Sequence, residues 1–190
     1  MARPLSEEKR EAILSAATEA VAALGTGAAT AKIAKAAGVA EGTLFTYFST
    51  KDDLLSALYL AIKEDLHQSI TTEYPATGDI RERSRHIWDR FIDWDLGEPA
   101  KSKAMRQLAV SERISETSRR LGSAPFRDIE ALLAESIADG PLKEQPIAFV
   151  GAFMQSLTDT VAQFIRQEPG SRSRYKQAGF DAFWNAITKS

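Results

Sequence analysis

AKIAKAAGVAEGTLFTYFSTK, residues 31–51, decides the fold of this chain. Ile33, Ala34 and Ala37 recur at helical spacing and give a short helix one apolar face. Gly38 follows at the place where a helix end favours a residue tolerant of the left-handed conformation. Val39 can then tuck into the angle of a turn. Leu44 and Phe48 stand four apart and bury a second short helix against the first. This leaves Glu41, Gly42, Thr43, Phe45, Thr46 and Tyr47 facing outward. That face is small, polar and aromatic, unlike the charged surface of a solvated helix. Two short helices so arranged form a helix-turn-helix, whose second helix is thin enough for a DNA major groove.

Within this stretch, GVAEGTLFTYFSTKDDL (residues 38–54) resembles the DNA-binding segment of TetR-family transcriptional repressors. In that family a Gly-Val turn leads into a thin recognition helix with Thr-Leu-aromatic at its centre. An aromatic-rich end follows, then a lysine opening the fourth helix. The resemblance covers about residues 7–60; beyond them it extends only to length and helical pattern. It implies that Thr43, Tyr47 and Lys51 contact the DNA backbone and that Glu41, Gly42, Phe45 and Thr46 face the bases. The chemistry suits those roles. A phenol or a threonine hydroxyl donates to phosphate, and Lys51 brings charge to a helix N-terminus. Glu41 can accept from a cytosine amino group, and Thr46 and Phe45 can touch a thymine methyl. Two departures stand out. Ala40 occupies the usual capping Ser position, which costs the recognition helix about 0.5–2 kcal/mol. Phe45 replaces a common Tyr and removes one hydroxyl.

Upstream, Ser6-Glu7-Glu8 marks a helix start, with acid near the positive end of the helix dipole. Ile13, Leu14, Ala17, Val21 and Leu24 form its stripe and are expected to close a small core with Ile33, Leu44 and Phe48. Residues 1–5 are expected to form a loose arm, on which Arg3 either reaches a phosphate or groove edge or belongs to a frayed terminus. Thr30 reads as the N-cap of the second helix, where its hydroxyl and the free N–H groups suit a phosphate. Lys32 is a further candidate for phosphate contact. Downstream, Thr50 and Asp53 have capping-box spacing. Leu54, Leu55, Leu58, Ile62, Leu66 and Ile70 then predict one long helix to about residue 73. Such a rod can carry displacement from one end to the other.

The remainder, after Pro75 and Gly78, predicts further helices and no strands, about nine helices in all. A helix from about residue 79 to 96 carries Trp88, Phe91 and Trp94; another carries Phe126. In PIAFVGAFMQSLTDTVAQFIRQ, residues 146–167, one apolar stripe includes Val150, Met154 and Val161, and a second includes Phe149, Phe153 and Phe164. Apolar residues on two faces need two partners. With the last helix, carrying Phe180, Phe183, Trp184 and Ile187, this one is expected to form a four-helix homodimer interface, Gly151 and Ala152 allowing close approach. The aromatic set Trp88, Phe91, Trp94, Phe126, Phe149 and Phe153 is either plain core or the wall of a cavity. The resemblance implies a pocket, since TetR-like regulators sense small molecules; His86, Arg90 and Gln155 are candidates for its polar contacts. The expected division is residues 1–50 for DNA binding and 51–190 for ligand binding and dimerisation.

The totals set bounds. The chain has 190 residues, no Cys and a formal net charge of −2, so bulk charge does not announce nucleic acid. Up to Lys51, six basic side chains oppose five acidic ones; a positive face must come from placement. Without Cys, disulfides and zinc-thiolate sites are excluded. His67 and His86 are the only histidines, neither in an HExxH motif, and no G-x-S-x-G elbow exists. No enzyme, metal or cofactor is expected. No apolar run approaches the roughly 20 residues of a membrane span, and the N-terminus has no signal-peptide core, so a cytoplasmic protein is expected. The expectation is therefore an all-α, homodimeric TetR-like regulator that binds an approximately palindromic double-stranded DNA operator and is released from it by a small apolar or aromatic effector. The other reading is a helical ligand-binding or protein-interaction module without specific DNA binding.

Overall fold

The computed structural model describes residues 6–189; the arm bearing Arg3 lies outside the described residues. All regular structure among them is helical. The chain divides into two compact units. One runs to Asp65 and resumes over Glu98–Ala124; the other comprises Leu66–Gly97 and Pro125–Ser190.

The first unit contains α1 (Glu7–Leu24), α2 (Thr30–Ala36), α3 (Glu41–Tyr47) and the start of α4 (Lys51–Thr71). Helices α6 (Pro99–Ala109) and α7 (Glu116–Ser123) belong to it as well. Ser6 caps α1 by accepting from the Lys9 amide. Ile13, Ala17, Val21, Ile33 and Leu44 are fully enclosed and Phe48 nearly so, which gives the small core its expected members. Leu24 does not join them: it is 56% exposed, because α1 ends there and the chain turns away at Gly25. The opposite flank of α1 packs on α6. Helix α7 is capped by Ser115, whose hydroxyl accepts from the Ser118 amide. Gly122 lies so close to Tyr59 of α4 that an added Cβ would stand 2.5 Å from the ring.

The second unit contains the end of α4 with α5 (Ile80–Gly97), α8 (Arg127–Ile137), α9 (Ile147–Gln167) and α10 (Arg172–Ile187). A reciprocal pair of side-chain bonds between Asp79 and Glu82 opens α5. Trp88 is completely buried at the centre. Phe183 stacks on it at 5.7 Å, Phe180 meets it edge-on, and its Nε1 donates to the Lys176 carbonyl. Gly179 of α10 faces the same ring; a Cβ there would come within 2.8 Å of it. At the other end of α5, buried Asp95 pairs with Arg166 of α9. Burial raises the affinity of the Asp93 carboxyl for its proton. Hydrogen bonds and charge from Lys176, 2.5 Å away, and Arg172, 2.6 Å away, outweigh that and hold it below its ordinary range.

Candidate nucleic-acid interface

The turn between α2 and α3 is fixed by backbone bonds. The Val39 amide donates to the Ala34 carbonyl at 3.0 Å and the Gly38 amide to the Lys35 carbonyl at 3.2 Å. This is the double closure of a Schellman motif, and it places Gly38 at φ +70°, where a Cβ is penalised. Ala40 then enters α3 in an extended conformation with no side-chain cap, as its methyl group dictates. Its φ and ψ of −69° and 148° already suit a capping hydroxyl. Ala40→Ser is therefore expected to stabilise the chain by about 1 kcal/mol, read as a rise in the denaturation midpoint with no change in the denaturant slope.

Leu44 is the anchor of α3, buried against α2, and it decides what the other side chains face. Glu41, Gly42, Phe45 and Thr46 are exposed, Phe45 to 41%, while Thr43 and Tyr47 are half-buried. An added Cβ at Gly42 would meet nothing within 4 Å, so the face is open there. The Thr46 hydroxyl donates to the Gly42 carbonyl at 3.0 Å, which ties down the oxygen on its own helix. The Tyr47 phenol oxygen accepts from the Ser6 amide at 3.0 Å, so its own proton is directed elsewhere. Lys32 and Lys35 are exposed on α2.

Thr30 corrects the sequence reading. The N-cap of α2 is Ala29, without a side-chain bond, and Thr30 is the first helical residue. Its hydroxyl instead donates to the Glu41 carboxylate at 2.7 Å. The helix starts one residue earlier than the capping preference suggests, and the acid opening α3 claims the hydroxyl. Glu41 thereby sits beside the first residues of two helices, where negative charge is favoured.

Lys51 opens α4, held by the Thr50–Asp53 capping box at 3.0 and 3.1 Å. Burial first, then the charge of Arg113, hold its ammonium below the usual lysine range, and Asp52 pulls the other way. Arg113, in the loop before α7, gave no signal in the sequence near this site.

In the second unit a cleft of about 500 Å³ lies between the first half of α5 and the middle of α10. His86, Arg90, Arg85 and Phe180 line it, with Arg85 stacked on the Phe180 ring at 4.9 Å. His86 Nε2 bonds the Ile70 carbonyl at 2.9 Å and Arg90 Nε donates to the Ser69 carbonyl at 2.8 Å. Both thus hold the last carbonyls of α4. None of the six aromatic candidates lines this cleft. Trp88, Trp94 and Phe126 are buried, Phe91 and Phe153 half-buried, and Phe149 is 52% exposed on α9. Gln155 bonds Asp159 on its own helix. Among the described residues no group of three or more His, Asp or Glu side chains could hold a metal ion, and no helix is long and apolar enough to cross a membrane.

Residues 13–58, which span this interface, match the family described as "Bacterial regulatory proteins, tetR family". The nucleoid occlusion factor SlmA of Vibrio cholerae is 26% identical over 170 residues, 84% of this chain and 82% of its own length. The crystal structure of a tetR family transcription regulator from Shewanella sp. PV-4 superposes with a TM-score of 0.84 at 26% identity, covering 96% of this chain and 99% of that one. The TetR-like regulator LfrR from Mycobacterium smegmatis, solved in complex with proflavine, shares the fold at a TM-score of 0.67 and 20% identity, covering 97% of this chain and 99% of its own. With the helix-turn-helix geometry, these findings identify residues 13–58 as a DNA-binding segment of the TetR family of transcription regulators, and the helical chain as a whole shares that family's fold.

Proposed function

We propose that this chain is a cytoplasmic, homodimeric repressor that binds an approximately palindromic operator and leaves it when a small apolar or aromatic ligand binds. The observation that carries the reading is the outward face of α3, with the Tyr47 phenol fixed by the Ser6 amide. Residues 1–50 and Lys51 supply the DNA contacts: Tyr47, Thr43 and Lys51 to phosphates, with Thr30 and Lys32 beside them, and Glu41, Gly42, Phe45 and Thr46 toward base edges. The Thr46 methyl, with its hydroxyl tied to Gly42, suits a thymine methyl.

Residues 51–190 supply the effector site and the dimer. Phe149 and Phe164 are exposed on one face of α9 at 52% and 45%, with Ala152, Ser156 and Thr160 exposed between them. Large rings flanking small residues suit packing against the same face of a second chain. The effector site is assigned to the cleft lined by His86, Arg90, Arg85 and Phe180, the last packed edge-on against Trp88. A ligand that takes the hydrogen bonds of His86 and Arg90 releases the carbonyls of Ser69 and Ile70 and frees the end of α4. The proflavine complex of LfrR supports an aromatic effector. DNA and effector then oppose each other through linked equilibria, with a coupling of typically about 1–3 kcal/mol.

The test is footprinting and anisotropy on the DNA upstream of the chain's own gene, with sedimentation of the free protein. The expected result is a dimer protecting two half-sites about 34–36 Å apart, one helical turn. Binding that is only nonspecific and salt-labile would instead identify a module without operator recognition. A second reading follows from the likeness to a nucleoid occlusion factor: DNA binding that serves nucleoid occlusion rather than transcription. Mapping of bound sites across the chromosome separates the two, by whether they cluster upstream of genes or disperse.

A further inference from the structure

We propose that Arg113 is a phosphate-contacting residue of the DNA interface, placed beside Lys51 by the α6–α7 loop. The inference rests on the DNA-binding reading above and extends it to a residue outside both the helix-turn-helix and the matched segment 13–58.

The loop is built to hold this side chain in place. Arg119 of α7 donates to the Ala109 carbonyl at 2.7 Å and to the Ser111 carbonyl at 2.8 Å, bridging the end of α6 and the loop. Ile114 is buried, 3% exposed, and the Arg113 amide bonds the Ser111 hydroxyl. From this frame the Arg113 guanidinium reaches the Asp52 carboxylate, 2.7 Å away, one residue beyond Lys51. The Lys51 ammonium feels its charge directly, second only to its own burial.

The ion pair itself does not account for the arrangement. Both side chains are about half exposed, 49% and 56%, and an exposed pair of this kind contributes little to stability. The charge balance points to a second use. Up to Lys51 the chain has one basic side chain more than it has acidic ones, which is little for binding a duplex. Arg113 adds a planar, always-charged donor next to the lysine that opens α4. In the free protein Asp52 occupies that donor. A phosphate presented to Lys51 competes for the same guanidinium, which takes phosphate oxygens in a two-pronged geometry.

The test compares full-length Arg113→Gln, Arg113→Lys and Asp52→Asn with the unaltered protein in operator binding from low to moderate salt, with thermal melts alongside. Arg113→Gln is expected to lower the slope of log affinity against log salt by about one per half-site, and affinity by on the order of tenfold. Arg113→Lys should restore most of the slope, and Asp52→Asn should tighten binding by removing the competing carboxylate. If Arg113→Gln leaves slope and affinity unchanged while Lys51→Ala reduces both, Arg113 is only a structural partner of Asp52 and the inference fails alone. If the unaltered protein shows no specific operator binding, the functional reading fails with it. A melt shifted by the same amount in Arg113→Gln and Arg113→Lys, with slope lost only in the former, supports the phosphate contact.

Discussion

Replacing Tyr47 by Phe and Lys51 by Ala together is expected to weaken operator binding on the order of a thousandfold, with the loss growing as salt is lowered. The estimate follows from what each group has available. The Tyr47 oxygen already accepts from the Ser6 amide, so the phenol proton is the only part left to offer to a phosphate. A hydrogen bond to a charged acceptor contributes about 1.5–3 kcal/mol, and a dimer repeats it at each half-site. Lys51 adds a point charge at the first residue of α4, where burial and Arg113 already disfavour the isolated ammonium. A phosphate relieves that cost, so the charge should be more valuable in the complex than on a free surface. The salt dependence separates the two substitutions. Lys51→Ala should flatten the slope, whereas Tyr47→Phe should weaken binding at every salt concentration alike. Tyr47→Phe also strands the Ser6 amide at the start of α1, a partly solvated group, so the melting temperature should move little. An unchanged affinity and slope in the double variant would show that this face of α3 and the head of α4 do not meet DNA.

The parts of this interface legible in the sequence are those set by neighbours in the chain. Gly38 at the helix end, the uncapped Ala40 and the Thr50–Asp53 box each depend on rules spanning three or four residues, and each appears as read. Thr30 was misread because the same local rule had a competitor that it does not see, the Glu41 carboxylate across the turn. Arg113 lies 61 residues beyond Asp52, and nothing in a loop sequence with a basic residue announces such a partner. The aromatic set shows a different limit. Spacing identifies Trp88 as inward-facing, but whether the space beside it is empty depends on α10. There Phe183 and the close approach of Gly179 fill it. The exposed face of α9 was legible as a second apolar stripe, since Phe149 and Phe164 lie off the line of Val150, Met154 and Val161.

Gly140→Ala is expected to destabilise the second unit by about 3 kcal/mol or more, although the substitution adds a single methyl group. In the sequence, Gly140-Pro141 reads only as a helix stop. The structure gives the glycine another task. Its amide donates to the Ile137 carbonyl at 2.9 Å, closing α8, and the residue is buried. An added Cβ would overlap the carbonyl oxygen of Ile187 and stand 2.8 Å from its carbonyl carbon, with the Thr188 Cα at 3.3 Å. All three atoms are backbone, two at the last residue of α10 and one at the residue after it, and no rotamer change can move them. Ile187 is itself completely buried, which pins that end of α10 from within. Relief requires the end of α8 or α10 to shift as a body, and the core around Trp88 opposes a shift of α10 through Phe183 and Phe180. For a chain of this size such a loss lowers the melting temperature by about 6–12 °C. Gly97→Ala is the control. It ends α5, an added Cβ there meets nothing within 4 Å, and the melting temperature should hold or rise slightly. Equal melting temperatures for the two variants would mean that the end of α8 does not press on the end of α10, and the packing argument for the second unit would fail at that contact.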